Sequence, residues 1–338
     1  MRSAILFVLA PAVFAAAPPL QTASIGDLKL ESGQVIQNCL IGYRTFGALN
    51  TAKSNAVLFP TWFSGESADL AGSIGTDALV DPSRYFVIAV DALGDGISSS
   101  PSNSKEQPRM TFPKFTIADM VNAEHRLVTE VLGIRHLHAV MGISMGGMQT
   151  FQWVMSYPDF MDRAVPVVGS PRLTATDLLL WTSEADAITE SAGWDRGDYK
   201  QPPNLRAVGD MHAFALTTPS YRAHSTPPAE FPAFLKGIAD APLGRMDAND
   251  WLRQLQAMMS LDVAKPFGES LSAAAHAVKT KMLVVVARQD HMVNPLPAIE
   301  FAGSIDAPLI VLESDCGHLA PGCESKSLNP RVRAFLDQ

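Results

Sequence analysis

Gly142-Ile143-Ser144-Met145-Gly146-Gly147-Met148-Gln149 stands between an apolar run, residues 137–141, and a helix-like run, residues 148–157. A Gly-x-Ser-x-Gly pattern between a strand and a helix forces the serine into a tight, strained turn that demands small neighbours on both sides. Gly142 and Gly146 supply that room. The turn lifts the Ser144 hydroxyl clear of the sheet. The helix that follows points free backbone N–H groups and a partial positive charge at any anion formed there. The stretch predicts an acyl-transfer site on an α/β fold. A bare five-residue match is equally a structural turn, so the reading depends on what lies on either side.

Upstream, residues 27–31 and 39–46 read as two strands of an opening antiparallel hairpin, with Ser32-Gly33 at the turn. Residues 55–60 (N-A-V-L-F-P) predict a short apolar strand running into Thr61-Trp62-Phe63-Ser64-Gly65. Residues 85–91 (Y-F-V-I-A-V-D) predict a second, running into Ala92-Leu93-Gly94-Asp95-Gly96. Buried runs that each end in a polar or glycine-rich loop indicate a parallel sheet with functional loops at the strands' carboxyl ends. The clearest helix is 115–132, with Thr116 as N-cap, Asp119 three residues on, and Gly133 as its stop. Downstream, 163–168, 281–287 and 308–313 predict strands and 330–336 a closing helix.

Between 171 and 270 there is no strand-like run, only helix-like stretches such as 175–191 and 248–261 separated by prolines, with Trp181, Trp194 and Trp251 among them. Such an aromatic helical insertion predicts a lid that excludes water and shapes the pocket; a stabilising subdomain with no gating role is the alternative. The chain divides into a leader, 1–17, a core, 18–170 and 271–338, and an insertion, 171–270.

The 338 residues are 47% hydrophobic and 18% charged, enough to bury one large core. A net charge of −8, with no Lys/Arg cluster beyond isolated pairs, argues against nucleic acid or anionic lipid as partner. A small or neutral molecule is expected instead. Met1-Arg2, apolar residues 5–14, and Ala15-Ala16-Ala17 before Pro18-Pro19 have the parts of a secretory signal. The apolar run falls short of the ~20 residues of a membrane-spanning helix, and no other segment is long enough. The expectation is a periplasmic or secreted protein beginning near Pro18. Of the three cysteines, Cys316 and Cys323 suit a disulfide in an oxidising compartment; two buried thiols are the other reading. Cys39 is left as a buried thiol.

A serine hydroxyl attacks only when a base takes its proton, and the base needs a group that holds its tautomer and offsets its charge. Asp290 follows the strand at 281–287 and His318 the strand at 308–313, giving the order Ser, acid, His along one sheet edge. Among eight histidines His291 is the rival base, though it shares the acid's loop. Asp315 is the rival acid, with Asp91 and Asp95 behind it. For the oxyanion, one backbone donor is expected from Met145, the other from Phe63 or its neighbour Trp62. No His-Glu-x-x-His or spaced Cys/His set is present, so no metal is expected.

The residues Gly42-Tyr43-Arg44-Thr45-Phe46-Gly47, Asn55-Ala56-Val57-Leu58, Phe115-Thr116-Ile117-Ala118-Asp119-Met120-Val121 and G-I-S-M-G-G-M-Q, with Trp153 and Tyr157-Pro158, resemble the homoserine O-acetyltransferase (MetX-like) branch of the α/β-hydrolases. The likeness runs over about 40–168 and 281–318 and is poor in the insertion. It implies an α/β-hydrolase fold, a mostly parallel central sheet flanked by helices with a helical lid, and often a homodimer paired through that lid. It also implies a triad of Ser144, Asp290 and His318, with Phe63 at the oxyanion-loop position. In that family acetyl-CoA acylates the serine and the acetyl group passes to the homoserine hydroxyl.

The chain departs from the family where the amino acid would bind. Ala185 stands near the position of the lid arginine, Leu319 replaces the acidic residue after the triad histidine, and Thr61-Trp62-Phe63-Ser64-Gly65 replaces an H-x-L-T-G loop. A zwitterion in such a site would be desolvated and unpaired, and a secreted enzyme would not meet cytoplasmic acetyl-CoA. The expectation is a secreted carboxylic ester hydrolase working through acyl-Ser144, without cofactor, with Trp62, Trp181 and Leu319 as pocket residues. The alternatives are an O-acyltransferase using acetyl-CoA or another acyl donor with a different alcohol, and a non-catalytic binding protein on the same scaffold.

Overall fold

The computed structural model describes residues 17–240 and 246–338. The expected signal sequence lies outside the described residues apart from its last residue, Ala17. The strands are β1 (Gln21–Lys29), β2 (Val35–Phe46), β3 (Ala56–Pro60), β4 (Phe86–Val90), β5 (Leu137–Ile143), β6 (Met161–Val167), β7 (Lys281–Met282), β8 (Val284–Ala287) and β9 (Leu309–Leu312). They form one sheet in the order β1-β2-β4-β3-β5-β6-β8-β9, with β7 also paired to β6. β1, β2 and β4 pair antiparallel, whereas β4, β3, β5, β6, β8 and β9 run parallel. The central strands are apolar throughout because both faces are covered. Thus Leu58, Ile88 and Val140 face one packed layer, while Val57, Val87, Ala139 and Met141 face the other.

The first layer receives α1 (Ile117–Arg126), α2 (Met145–Ser156) and α9 (Leu296–Ser304); the second receives α11 (Ser325–Leu336) through Leu328, Val332 and Phe335. Each fully buried side chain of this size stabilises the fold by about 1.5–3 kcal/mol relative to exposure. The start of α1 is set by a capping box. The Asp119 N–H donates to Thr116 Oγ1 at 3.1 Å, and the Thr116 N–H donates to Asp119 Oδ2 at 2.9 Å.

Several boundaries differ from the sequence reading; β2, expected from 39, starts at Val35. β1 begins at Gln21 rather than 27, because a bulge at Gly26, with φ of 65°, breaks the alternation that marks a strand. The helix expected over 115–132 is α-helical to Arg126 and then widens into a π-turn at Leu127–Val131. The strand expected at 281–287 is divided at Leu283 into β7 and β8. The closing helix starts at Ser325 and runs through Pro330, so that proline does not mark its first turn.

Between β6 and β7 the chain builds α3 (Ala175–Thr189), α4 (Arg206–Leu216), α5 (Pro219–Ser225), α6 (Phe231–Asp240), α7 (Ala248–Met259) and α8 (Leu271–His276). Three of these, α3, α4 and α7, pack on one another above the carboxyl ends of the strands. Among the described residues no helix is long and apolar enough to cross a membrane.

Candidate active site

Ser144 occupies the junction of β5 and α2 with φ 58° and ψ −120°, a conformation that costs a non-glycine residue about 1–3 kcal/mol. The surroundings enforce it. The Ser144 N–H donates to the Val167 carbonyl at 2.9 Å, and the Ser144 carbonyl accepts from Met148 at 2.9 Å. A Cβ on Gly142 would lie 2.2 Å from the Gly146 backbone, and one on Gly146 would lie 2.5 Å from the Pro60 carbonyl oxygen. Both positions therefore exclude any side chain, and their closeness is what lets β5 turn directly into α2.

The structure brings the three expected residues together. Ser144 Oγ donates to His318 Nε2 at 2.8 Å, and His318 Nδ1 donates to Asp290 Oδ2 at 2.7 Å. A carboxylate only accepts, so this contact fixes the proton on Nδ1 and leaves Nε2 basic toward the serine. The other carboxylate oxygen, Asp290 Oδ1, accepts the N–H groups of Met292 and Val293 at 2.9 Å each. Ser144, Asp290 and His318 are all buried, where charge interactions are less screened than in water.

The rivals lie elsewhere. His291 is exposed beside Asp290 and lines a separate cavity of about 730 Å³ formed by α4, α5 and α6. Asp315 accepts from Ser220 at 3.2 Å. Asp91 binds Ser67, and Asp95 accepts from the backbone of Ile97 and Ser98. Burial pushes both of these carboxyls above their usual range, Asp95 with help from the charge of Asp91.

The two expected oxyanion donors lie on elements held together by one amide. Met145 is the first residue of α2, where helix geometry leaves the N–H without an intrahelical acceptor. Phe63 lies in the loop after β3. Gln149 Nε2 donates to the Thr61 carbonyl at 3.1 Å and to the Met145 carbonyl at 3.3 Å, tying that loop to the first turn of α2. From the other side, Gln254 of α7 accepts the Ser64 N–H at 2.9 Å and donates to the Leu93 carbonyl at 3.1 Å. Ser64 itself is left-handed, with φ of 60°.

Phe63 and Trp62 part company. The Phe63 ring is buried against His212, Trp251 and Trp181 at centroid distances of 5.4, 5.5 and 6.3 Å. Two of those rings are held by Glu184, a fully buried carboxylate of α3 that pairs with His212 Nδ1 at 3.2 Å and accepts from Trp251 Nε1 at 3.1 Å. Trp62 is half-buried, folds back over Gly65, and packs with the opposite core layer. Leu319 is 44% exposed beside His318, and Ala185 packs its methyl into the core.

The profile of the α/β-hydrolase fold matches residues 63–321. The chain belongs to the α/β-hydrolase family. A probable esterase of Corynebacterium glutamicum is 33% identical over 335 residues, covering 95% of each chain. A homoserine O-acetyltransferase of Pelobacter propionicus is 31% identical over 360 residues, covering 94% of this chain and 96% of that protein. Among solved structures, an acetyl esterase superposes with a TM-score of 0.89 at 29% identity, over 95% of this chain and 98% of that one. The expected resemblance to the homoserine O-acetyltransferases is thus found alongside an equal resemblance to esterases, and this α/β-hydrolase is an enzyme of that group.

Sequence reasoning did not assign Gln149, Gln254, Glu184 or His212. Gln149 belongs to the quoted motif and was legible as one of its residues. The other three lie in the helical segment, where no pattern in the chain announces a contact with residues far away in sequence.

Proposed function

We propose that this α/β-hydrolase is a carboxylic ester hydrolase acting through an acyl-Ser144 intermediate. The observation that carries the reading is the continuous hydrogen-bonded relay from Ser144 Oγ to His318 to Asp290. His318 Nε2 takes the hydroxyl proton as Ser144 Oγ attacks the ester carbonyl carbon. The Asp290 carboxylate offsets the imidazolium charge that results. The N–H groups of Met145 and Phe63 receive the negative charge on the carbonyl oxygen, a contribution of about 2.7–4 kcal/mol per donor in a related setting. His318 then returns the proton to the departing alcohol. In the second half, water attacks the acyl carbon as His318 takes its proton; the bond from Ser144 Oγ to the acyl carbon then breaks, His318 returns the proton to Oγ, and the acid leaves.

Release to water rather than transfer to homoserine is supported by the residues at the positions where the resemblance would place amino-acid-binding groups. Ala185 and Leu319 offer no charge to an amino acid's carboxylate or amine, and unpaired charges are costly to bury. Relatives named as esterases point the same way. Residues 1–17 fit export, which would place the enzyme in the periplasm or outside the cell, and the helical segment 171–270 serves as its lid. Hydrolysis of p-nitrophenyl acetate should show a burst followed by turnover, and Ser144→Ala should abolish both. Equal rates for wild type and Ser144→Ala would overturn the reading.

A second reading, O-acyl transfer to an alcohol, is favoured by the likeness to acetyltransferases over nearly the whole chain. It shares the first half-reaction and differs in the acceptor. Product analysis with an acyl ester and added alcohols separates the two, since transfer yields a new ester whose share rises with alcohol concentration.

A further inference from the structure

His318 sits inside a ring. Cys316 and Cys323 form a disulfide across a sequence separation of seven, so the proposed base lies two residues past one half of the bond. Of the three carriers of the relay, this arm has the least support from the sheet. Ser144 leaves β5, which has a parallel neighbour on each side, β3 and β6. Asp290 follows β8, flanked by β6 and β9. His318 follows β9, four residues long and the outermost strand on its side.

Between β9 and α11 the chain makes a single 3₁₀ turn, Gly317–Leu319, and the four-residue α10 (Ala320–Cys323). Elements this short fix a side chain poorly by their own hydrogen bonds. Cys316 and Ala320 pack in the core and Ser220 Oγ donates to Asp315 Oδ2 at 3.2 Å, but no strand pairing holds the turn itself. Thr218 Oγ1 donates to the Asp315 carbonyl at 2.6 Å, the Ser314 N–H donates to Glu324 Oε1 at 2.8 Å, and Gly317, at φ 66°, lies against the backbone of Leu216 and Thr217.

The geometry points to the Cys316–Cys323 disulfide as a positioning element of the reaction: it locks the turn that aims His318 Nε2 at Ser144, so the oxidised chain is the fast enzyme and the reduced chain a slow one. This rests on His318 being the base. A disulfide that closes so short a loop removes less entropy from the unfolded chain than one closing a long loop, so its main consequence is local. Cys316 is buried, but Cys323 is exposed, so a reductant reaches the bond from the surface. A phosphine attacks sulfur, the S–S bond breaks, water supplies the oxygen of the phosphine oxide, and the protein gains two thiols. A hydrolase made in a reducing compartment would therefore begin in its slow form and become fast after oxidation.

The test reduces the native full-length protein with tris(2-carboxyethyl)phosphine, removes the reagent by gel filtration, and assays p-nitrophenyl acetate at once. Thiol titration after denaturation should rise from one, the buried Cys39, to three. The expected result is a fall in kcat of at least tenfold with KM within twofold, an equal fall in the rate at which a fluorophosphonate labels Ser144, and recovery on reoxidation. The double variant Cys316→Ser/Cys323→Ser should reproduce the slow enzyme, keep its circular dichroism spectrum, and no longer respond to the phosphine. Full activity in protein with three titratable thiols would overturn the inference. His318→Ala separates the two layers: if it stays active, the reading of His318 as base has failed. If it is inactive while the reduced wild type is fast, only the role of the disulfide has failed.

Discussion

The sheet and the helical segment between β6 and β7 solve different problems. At the carboxyl edge of the sheet, side chains are placed by local rules: a glycine-flanked turn for Ser144, and strand ends for Asp290 and His318. The helical segment places nothing by such rules. It acts at a distance, through the Gln254 amide on the Ser64 backbone and through three rings packed on Phe63. The proposed nucleophile and its relay are thus placed mainly by the core, with Thr218 of the helical segment bracing the Asp315 carbonyl on the His318 arm. The setting of the loop that carries Phe63, the second proposed oxyanion donor, is shared, with Gln149 pulling from below and Gln254 from above. A cover that only excluded water would not need buried amides hydrogen-bonded to the loop beneath it.

The largest effect should come from breaking the core side of this division. His318→Ala should lower kcat by about 10⁴-fold or more, because the serine loses its only base while the oxyanion donors remain. A melting temperature within a few degrees of wild type shows that the loss is chemical. A smaller loss would place the base elsewhere and dissolve the contrast.

The helical side should respond less, and in kcat. Gln254→Ala removes the acceptor from the Ser64 N–H and frees the loop that carries Phe63. The expected loss is roughly 10- to 100-fold in kcat, below the 10²–10³-fold of deleting an oxyanion donor outright, with KM within about twofold. Steady-state kinetics on a short ester checks it, and unchanged kcat would reduce the helical segment to a passive cover. Glu184→Gln should fall between wild type and Gln254→Ala, because it leaves His212 and Trp251 in place but replaces the buried carboxylate that holds both.

The smallest effect concerns stability and treats the two regions alike. Burial pushes Glu124, on the buried face of α1, up to about 8, against the opposing hydrogen bond from Trp153, and pushes Asp250 of α7 up to about 7. In both, the native state keeps a proton that the unfolded chain has lost once pH passes the ordinary carboxylate range. Stability is therefore greatest at the acid end of this window and declines as pH rises from about 4 or 5 toward 8, flattening above it. The melting temperature should drop by several degrees between pH 5 and pH 8. Glu124→Gln, which can still accept from Trp153 Nε1, should flatten part of that slope. A slope identical to wild type would show that Glu124 does not keep its proton in the fold.

How much was legible varies by region for a physical reason. The strands β3 to β6, the elbow at Ser144 and the cap at Thr116 depend on neighbours within a few positions, and each could be read where it stands. Asp290 and His318 were legible because strand ends on one side of a parallel sheet share an edge, which turns distant positions into neighbours. The start of β1 was missed because a bulge hides alternation, and the start of α11 because the helix accommodates Pro330 in its interior.

The sequence by itself determined the strained turn at Ser144, the order of the proposed relay and the layer structure, since backbone sterics and apolar periodicity are local and repeat along the chain. Only the tertiary structure decided that Phe63 faces the helical segment while Trp62 turns the other way, that Gln149 and Gln254 grip one loop from two sides, and that a disulfide encircles His318. Those arrangements depend on which surfaces meet after folding. A single glutamine in a chain carries no mark of the partner it will find; Cys316 and Cys323 could be named as a pair, and the fold decided between the bond and two thiols.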